Sequence, residues 1–183
     1  MIFRQKKVFA TRLGWFAIAW SDQGLAALTF GHQDREAARM AIGGLATVRG
    51  TAGGDSLGRM DLVVRLQAYS DGHRDEFRDV PLDLSDLTNF QRRVSLACRA
   101  IPWGETVTYG QLAARVGSPR AARAVGSVMS RNRLPIVIPC HRVLGTARRL
   151  GGYSAVGGLD MKRHLLNLEG IAHFSQSEEI RHG

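Results

Sequence analysis

TYGQLAARVGSPRAARAVGSVMS, residues 108–130, is the stretch that decides how this chain folds. It reads as a short helix that ends at Gly117, then Ser118 as the cap of a second helix with Pro119 at its first position, running to about residue 130. Leu112 and Ala113 face inward and a glycine takes the turn, which is the pattern of a helix-turn-helix. The second helix is rich in small residues, Ala121, Ala122, Ala124, Gly126 and Ser127, and Arg123 is its only long central side chain. A helix of that shape can lie very close to another surface. One such surface is a narrow minor groove, with Arg123 reaching into the duplex; the other is a neighbouring helix of the same protein.

Upstream, Thr88 can cap a helix whose apolar face is Phe90, Val94, Ala97 and Ile101, and Pro102 and Gly104 stop it. Cys98 sits in that helix and reads as a small buried hydrophobe. The preceding half of the chain has a different character. Residues 8–10, 15–20 and 25–30 alternate as strands, the last two joined by Ser21-Asp22-Gln23-Gly24 in a hairpin pattern. Asp34 then precedes an alanine-rich helix to about residue 42, residues 43–58 are glycine-rich and read as a loop, and a short helix follows over about 60–69. Val80-Pro81-Leu82 reads as an edge strand or a linker, so a boundary falls within residues 82–87.

The 183 residues carry a formal charge of +9, and its distribution is uneven. Residues 101–170 hold ten basic and three acidic side chains (Glu105, Asp160 and Glu169), whereas residues 1–100 are nearly balanced. A basic patch confined to one part of a chain suits a polyanion, usually nucleic acid. Arginine outnumbers lysine 22 to 3, which fits forked phosphate contacts but also follows from genome composition. With 44% hydrophobic and 22% charged residues the chain is a folded one, no apolar run approaches a membrane span, and the N-terminus lacks a signal-peptide core. Two cysteines, Cys98 and Cys140, exclude a disulfide scaffold and a four-thiolate zinc site. The expected compartment is the reducing cytoplasm.

The strongest local chemistry is Leu134-Pro135-Ile136-Val137-Ile138-Pro139-Cys140-His141-Arg142-Val143. His141 and Arg142 are cationic neighbours that favour the Cys140 thiolate if they face it. His141 can act as a base through a water, given an acid to orient it, and Glu169 is one of few acids nearby in sequence. A bare Cys-His pair also admits a hydrolase nucleophile.

Ile138-Pro139-Cys140-His141-Arg142-Val143 resembles the active-site signature of the O6-alkylguanine-DNA alkyltransferases, also called methylated-DNA–protein-cysteine methyltransferases. The resemblance runs from about residue 90 to 170 and includes Val107-Thr108-Tyr109-Gly110-Gln111-Leu112-Ala113, then Ala121 through Gly126, Asn132, Pro135, Gly152-Tyr153-Ser154, Lys162 and Glu169-Gly170. It implies that Cys140 accepts the alkyl group irreversibly, with His141 as the water-mediated base, Glu169 as its partner and Asn132 as a hinge bonded to backbone. It implies further that Tyr109 donates to the flipped base, that Arg123 fills the gap left in the duplex, and that Thr108, Ala121, Ala122, Ala124 and Gly126 belong to the DNA-binding surface. The Ser154 backbone N–H would face the guanine oxygen and the Cys140 and Val143 carbonyls the exocyclic amine, while Met129, Pro135 and Tyr153 line the pocket. A methyl group on a stacked guanine is reached only by extruding the base, and a weakened lesion pair is easier to open.

The fold expected from the resemblance is α+β. Residues 1–84 form a small N-terminal α/β support domain with an antiparallel ribonuclease-H-like sheet. Residues 85–171 form a mostly helical, winged-helix-like DNA-binding and alkyl-acceptor domain containing the helix-turn-helix, and 172–183 are a tail. The expected activity is single-turnover repair of O6-methylguanine, with O4-methylthymine as a further candidate lesion. Expected partners are double-stranded DNA and no membrane; the protein is expected to be a nucleoid-associated monomer without cofactor or metal, since no cysteine precedes Cys98 to hold the zinc of some relatives. The pattern departs at Tyr153-Ser154-Ala155-Val156-Gly157-Gly158, two residues longer than the Tyr-Ser-Gly-Gly of related sequences. A lesion sensor that lacks the acceptor cysteine is disfavoured by Cys140, and a transcription regulator leaves Cys140, Asn132 and Glu169 unexplained.

Overall fold

The computed structural model describes residues 2–3, 5–43, 47–48 and 56–172. β1 (Ile2–Phe3) is a two-residue strand, and β2 (Gln5–Thr11), β3 (Gly14–Trp20) and β4 (Leu25–His32) form an antiparallel meander with β3 central. Strand alternation sends Phe16, Ile18 and Trp20 to one face of β3 and Ala17 and Ala19 to the other. The alanine face lets α1 (Arg35–Gly43) pack closely through Ala38 and Ile42, and Asp34 caps that helix by accepting from the Ala37 N–H at 2.7 Å. β5 (Thr47–Val48) pairs in parallel with β1, and α2 (Ser56–Ser70) follows. The loop read over 43–58 therefore gives way to β5 and to the first turn of α2, and its residues 44–46 and 49–55 lie outside the described ones.

The β3–β4 turn shows why residue 24 is glycine. Its φ is +144°, and a Cβ there would stand 2.4 Å from the Pro81 carbonyl oxygen. The 80–82 segment passes this close because the Leu25 N–H donates to the Pro81 carbonyl (2.8 Å) and the Asp83 N–H to the Leu25 carbonyl (2.9 Å). Residue 82 thus makes a single parallel bridge to β4.

α3 (Asn89–Arg99) begins with a full capping box between Thr88 and Gln91. β6 (Val107–Thr108) leads into α4 (Tyr109–Arg115), and α5 (Ala122–Ser130) completes the helix-turn-helix. Here the sequence reading needs correction, because Ser118 does not cap α5 and Pro119 is not its first residue. Gly117, at φ +72°, and Ser118 donate their N–H groups to the Ala114 and Ala113 carbonyls, closing α4 in a Schellman motif. Ser118 is therefore tied to the end of α4, a tight turn spans residues 118–121, and α5 starts at Ala122 with no side-chain cap.

A single 3₁₀ turn, Cys140–Arg142, precedes β7 (Val143–Leu144), which pairs in parallel with β6 in the register Val107 to Val143 and Thr108 to Leu144. That short ladder sets the start of α4 beside the Cys140 turn. α6 (Gly158–Leu168) ends the described fold. One apolar cluster runs from Phe16 and Phe30 of the sheet through Leu66 and Tyr69 of α2 to Val94, Leu112, Ile138 and Val143, so the core continues across residue 85. The 172–183 tail lies almost wholly outside the described residues. Among the described residues no helix is long and apolar enough to cross a membrane.

Candidate active site

The loop between α5 and the 3₁₀ turn is locked by its own polar groups. Asn132 Oδ1 accepts the Leu134 N–H (3.0 Å) and its Nδ2 donates to the Ile138 carbonyl (2.8 Å), while the Ile138 N–H donates to the Leu134 carbonyl (2.7 Å). Inside this knot Ile136 sits at φ +73°, a conformation a β-branched residue adopts only when its surroundings impose it. Pro139, at φ −77° and ψ 67°, makes an inverse γ-turn in which the Cys140 N–H donates to the Ile138 carbonyl at 2.8 Å. The Asn132 side chain and the Cys140 backbone therefore converge on one carbonyl oxygen.

Cys140 is buried, 5% exposed, at the bottom of a cleft of about 410 Å³ lined by Tyr109, Gly126, Met129, Ser130, Gly152, Tyr153 and Ser154. A second cleft of about 290 Å³ reaches the same residue from the side of β4, between Thr29, Phe30, Pro135 and Ala155. Burial pushes the thiol pKa up, and Asn132, the Lys162 ammonium and the Tyr153 hydroxyl act against that. The Tyr153 hydroxyl is buried and makes no well-formed hydrogen bond among the described residues. Burial also keeps the Tyr109 phenol protonated by raising its pKa, so it remains a donor.

Behind Cys140 lies a buried charge cluster. Fully buried His141 places Nε2 2.9 Å from Glu169 Oε1, and its Nδ1 has no hydrogen-bond partner among the described residues. Arg142 binds the same carboxylate with both arms of its fork, Nε to Oε2 at 2.8 Å and Nη2 to Oε1 at 2.9 Å, and its Nη1 donates to the Ile101 carbonyl at 2.6 Å. The Tyr69 hydroxyl adds a fourth hydrogen bond, 2.8 Å to Oε1. Burial drives the Glu169 pKa up, but His141 and Arg142 together outweigh it and hold the carboxyl at about 2. Burial drives the His141 pKa down, and Glu169 opposes it. Lys162 is fully buried on α6, donates to the Val143 carbonyl at 2.7 Å and stands 6.0 Å over the Tyr153 ring; burial lowers its pKa to about 8.

The structure thus brings together Cys140, His141, Glu169, Asn132, Tyr109, Met129, Tyr153 and Ser154. Pro135 borders only the cleft on the β4 side, and Val143 borders neither cleft, its carbonyl being engaged by Lys162. On the helix-turn-helix, Thr108 caps α4 by accepting from the Gln111 N–H (3.1 Å), Ala121 precedes α5, and Ala122 and Gly126 are half-buried. Arg123 and Ala124 are exposed, and Arg123 makes no hydrogen bond or ion pair with any described residue. Gly126 lies against the Tyr109 ring, with 3.9 Å from its would-be Cβ to two ring carbons. The sequence reading set Arg142 among the cationic neighbours of the thiol; it turns instead to Glu169. It also missed Tyr69, which lies 100 residues from Glu169 and carries no local signal, and it counted Lys162 among the basic residues without assigning it to the surroundings of the thiol, where its signal was a lone lysine in an arginine-rich half.

Residues 89–171 match the family model described as 6-O-methylguanine DNA methyltransferase, DNA binding domain. The chain is 50% identical over 107 residues to the methylated-DNA–protein-cysteine methyltransferase of Mycolicibacterium paratuberculosis; the match covers 58% of this chain and 62% of that relative's length. The fold is similar to the crystal structure of Mycobacterium tuberculosis OGT in complex with DNA, at a TM-score of 0.70 and 37% identity, covering 93% of each chain. It is equally similar, at a TM-score of 0.70 and 38% identity, to Mycobacterium tuberculosis O6-methylguanine methyltransferase, covering 90% of this chain and 92% of that one.

Proposed function

Because this chain belongs to the 6-O-methylguanine DNA methyltransferase family, we propose that it repairs O6-alkylated guanine in duplex DNA by moving the alkyl group to its own Cys140, once per molecule. One observation carries the reading: Cys140 lines an open cleft, and the residue after it, His141, is buried with its Nε2 2.9 Å from Glu169 Oε1. The thiol proton passes to His141 Nδ1 through a water, and Glu169 stabilises the imidazolium so formed. The sulfur then forms a bond to the alkyl carbon as the carbon–oxygen bond of the guanine breaks. The electron pair leaves with the guanine, which the Ser154 N–H at its oxygen and the Tyr109 hydroxyl donating to the base stabilise, and a proton returns to the base. Lys162, buried and cationic near the sulfur, favours the thiolate, and no cofactor or metal enters the scheme.

DNA binding follows from the same residues. Exposed Arg123 and the small residues around it on α5 form the face that approaches the duplex, and Arg123 holds the space of the extruded nucleotide. A division into a 1–84 support unit and an 85–171 DNA-binding and acceptor unit belongs to this proposal. So do the ribonuclease-H-like character of the β2–β3–β4 sheet and the winged-helix character of α4, α5 and the β6–β7 ladder, as do monomeric action in the nucleoid and a role for O4-methylthymine as a second substrate.

The test is to incubate the protein with duplex DNA carrying O6-methylguanine, digest it and weigh the peptide that bears Cys140. A stoichiometric gain of one CH₂ on that thiol, absent in Cys140→Ala, is the expected result. Tight binding with the methyl group still on the DNA would overturn the transfer and leave a lesion-binding protein.

A further inference from the structure

We propose that Tyr69 is a positioning residue for the His141–Glu169 pair. Its hydroxyl, supplied by α2 of the N-terminal half, occupies the carboxylate oxygen that faces His141 and so sets how tightly that imidazole holds its proton. Three donors meet on Glu169 Oε1: the Tyr69 hydroxyl at 2.8 Å, His141 Nε2 at 2.9 Å and Arg142 Nη2 at 2.9 Å. A carboxylate oxygen offers about two lone-pair directions, so each added donor weakens the hold of that oxygen on the others. The Tyr69 hydroxyl therefore competes with the imidazole for the same acceptor.

The placement is rigid. Tyr69 is fully buried, stands edge-on to Trp103 with ring centroids 5.4 Å apart at 83°, and packs against Phe77 at 5.8 Å. A phenylalanine would fill this apolar slot with no polar group to satisfy, and among the described residues the hydroxyl has Glu169 as its one hydrogen-bond partner. Burial and the adjacent carboxylate keep the phenol protonated, so it is always the donor. The other groups that face the pair are Arg142 and Cys140 on the 3₁₀ turn, Lys162 on α6, the Tyr153 phenol, and Glu76, whose Oε2 lies 3.6 Å from Arg142 Nη1. All of them stay in place when one oxygen atom is removed from Tyr69.

In Tyr69→Phe the freed Oε1 holds the imidazolium more strongly, and His141 becomes the better proton acceptor. The readout is nitrogen NMR of histidine-labelled protein, with the His141 signal identified by its loss in His141→Gln. The His141 titration midpoint is expected to rise by about 0.5 to 1 pH unit in Tyr69→Phe. In the alkyl-transfer reaction the acidic limb of the pH–rate profile on O6-methylguanine duplex moves up by the same amount. Phe77→Leu, which loosens the packing around Tyr69 without touching Glu169, is expected to lower the melting temperature and move neither quantity. An unchanged His141 midpoint in folded Tyr69→Phe, or an equal shift in Phe77→Leu, overturns the proposal. The effect on alkyl transfer rests on the function proposed above, and the two fail separately. A shifted midpoint in a protein that never alkylates Cys140 sinks that function alone, and a constant midpoint in one that does sinks the role of Tyr69 alone.

Discussion

Replacing Lys162 by methionine should reverse the sign of its effect on stability as the pH rises. The wild-type ammonium is fully buried and titrates near 8 instead of 10.5, so holding it charged costs about 3 kcal/mol of folding free energy below pH 8. Between pH 8 and 10.5 the unfolded chain still binds the proton that the folded one has released, so this group makes the wild type more stable as pH rises; above 10.5 the cost is gone. Methionine never bears that cost, but it leaves the Val143 carbonyl without its 2.7 Å donor, a loss of about 1–3 kcal/mol at every pH. Lys162→Met is thus expected to be equal to or more stable than wild type at pH 7 and less stable by about 1–3 kcal/mol above pH 10.5. Urea unfolding of both proteins in reductant across pH 7 to 11 measures the difference, from which the titrating groups that do not interact with Lys162 cancel; placing the same substitution in a Cys140→Ala background removes the coupled thiol as well. Parallel stability curves for the two proteins between pH 8 and 10.5 would refute the reasoning, because Lys162 would then titrate normally.

Glu169→Gln removes one carboxylate from four donors and leaves the charge of buried Arg142 with only the longer 3.6 Å contact to the Glu76 carboxylate, so a loss of about 3–5 kcal/mol is expected by thermal unfolding, together with loss of alkyl transfer. Since the folded Glu169 pKa is about 2, its contribution is intact above pH 4.5 and fades as pH falls toward 2, and the variant should lack that component of acid unfolding. Gly151→Ala puts a Cβ 3.1 Å from Tyr109 Cε2 and 3.2 Å from its hydroxyl, so the ring must shift; single-turnover transfer from duplex should slow, and an unchanged rate would show that Tyr109 does not act on the base. Arg123→Ala should change stability by less than about 0.5 kcal/mol, and should slow repair of duplex more than reaction with free O6-alkylguanine. Equal losses on both substrates would remove Arg123 from base flipping.

Local patterns carried much of this far. The hairpin at residues 21–24, the Thr88 cap and the helical face through Val94 follow from nearest neighbours, and each is present in the fold. Ser118 misled because two motifs claimed it, and the end of α4 has the prior geometric hold once Gly117 turns left-handed. The Cys140 stretch announced its chemistry, and Glu169 was found as a rare acid in a basic segment. Tyr69 and the direction of Arg142 were not legible, because they depend on how α2 and the 3₁₀ turn each meet the end of α6, contacts with no local trace in the chain.

The Glu169 cluster joins α2, the 3₁₀ turn and the end of α6 through one carboxylate, within a core that has no seam at residue 85. Such a cluster resists loosening in pieces, since freeing the 3₁₀ turn or the end of α6 strands a charge in an apolar interior and freeing α2 leaves the buried Tyr69 hydroxyl without its acceptor. Hydrogen exchange should therefore find the amides around Arg142 and in the inner turns of α2 among the slowest in the molecule, exchanging with a common free energy close to that of complete unfolding. The breathing of the acceptor site and the melting of the whole protein would then be one event, observed at two places.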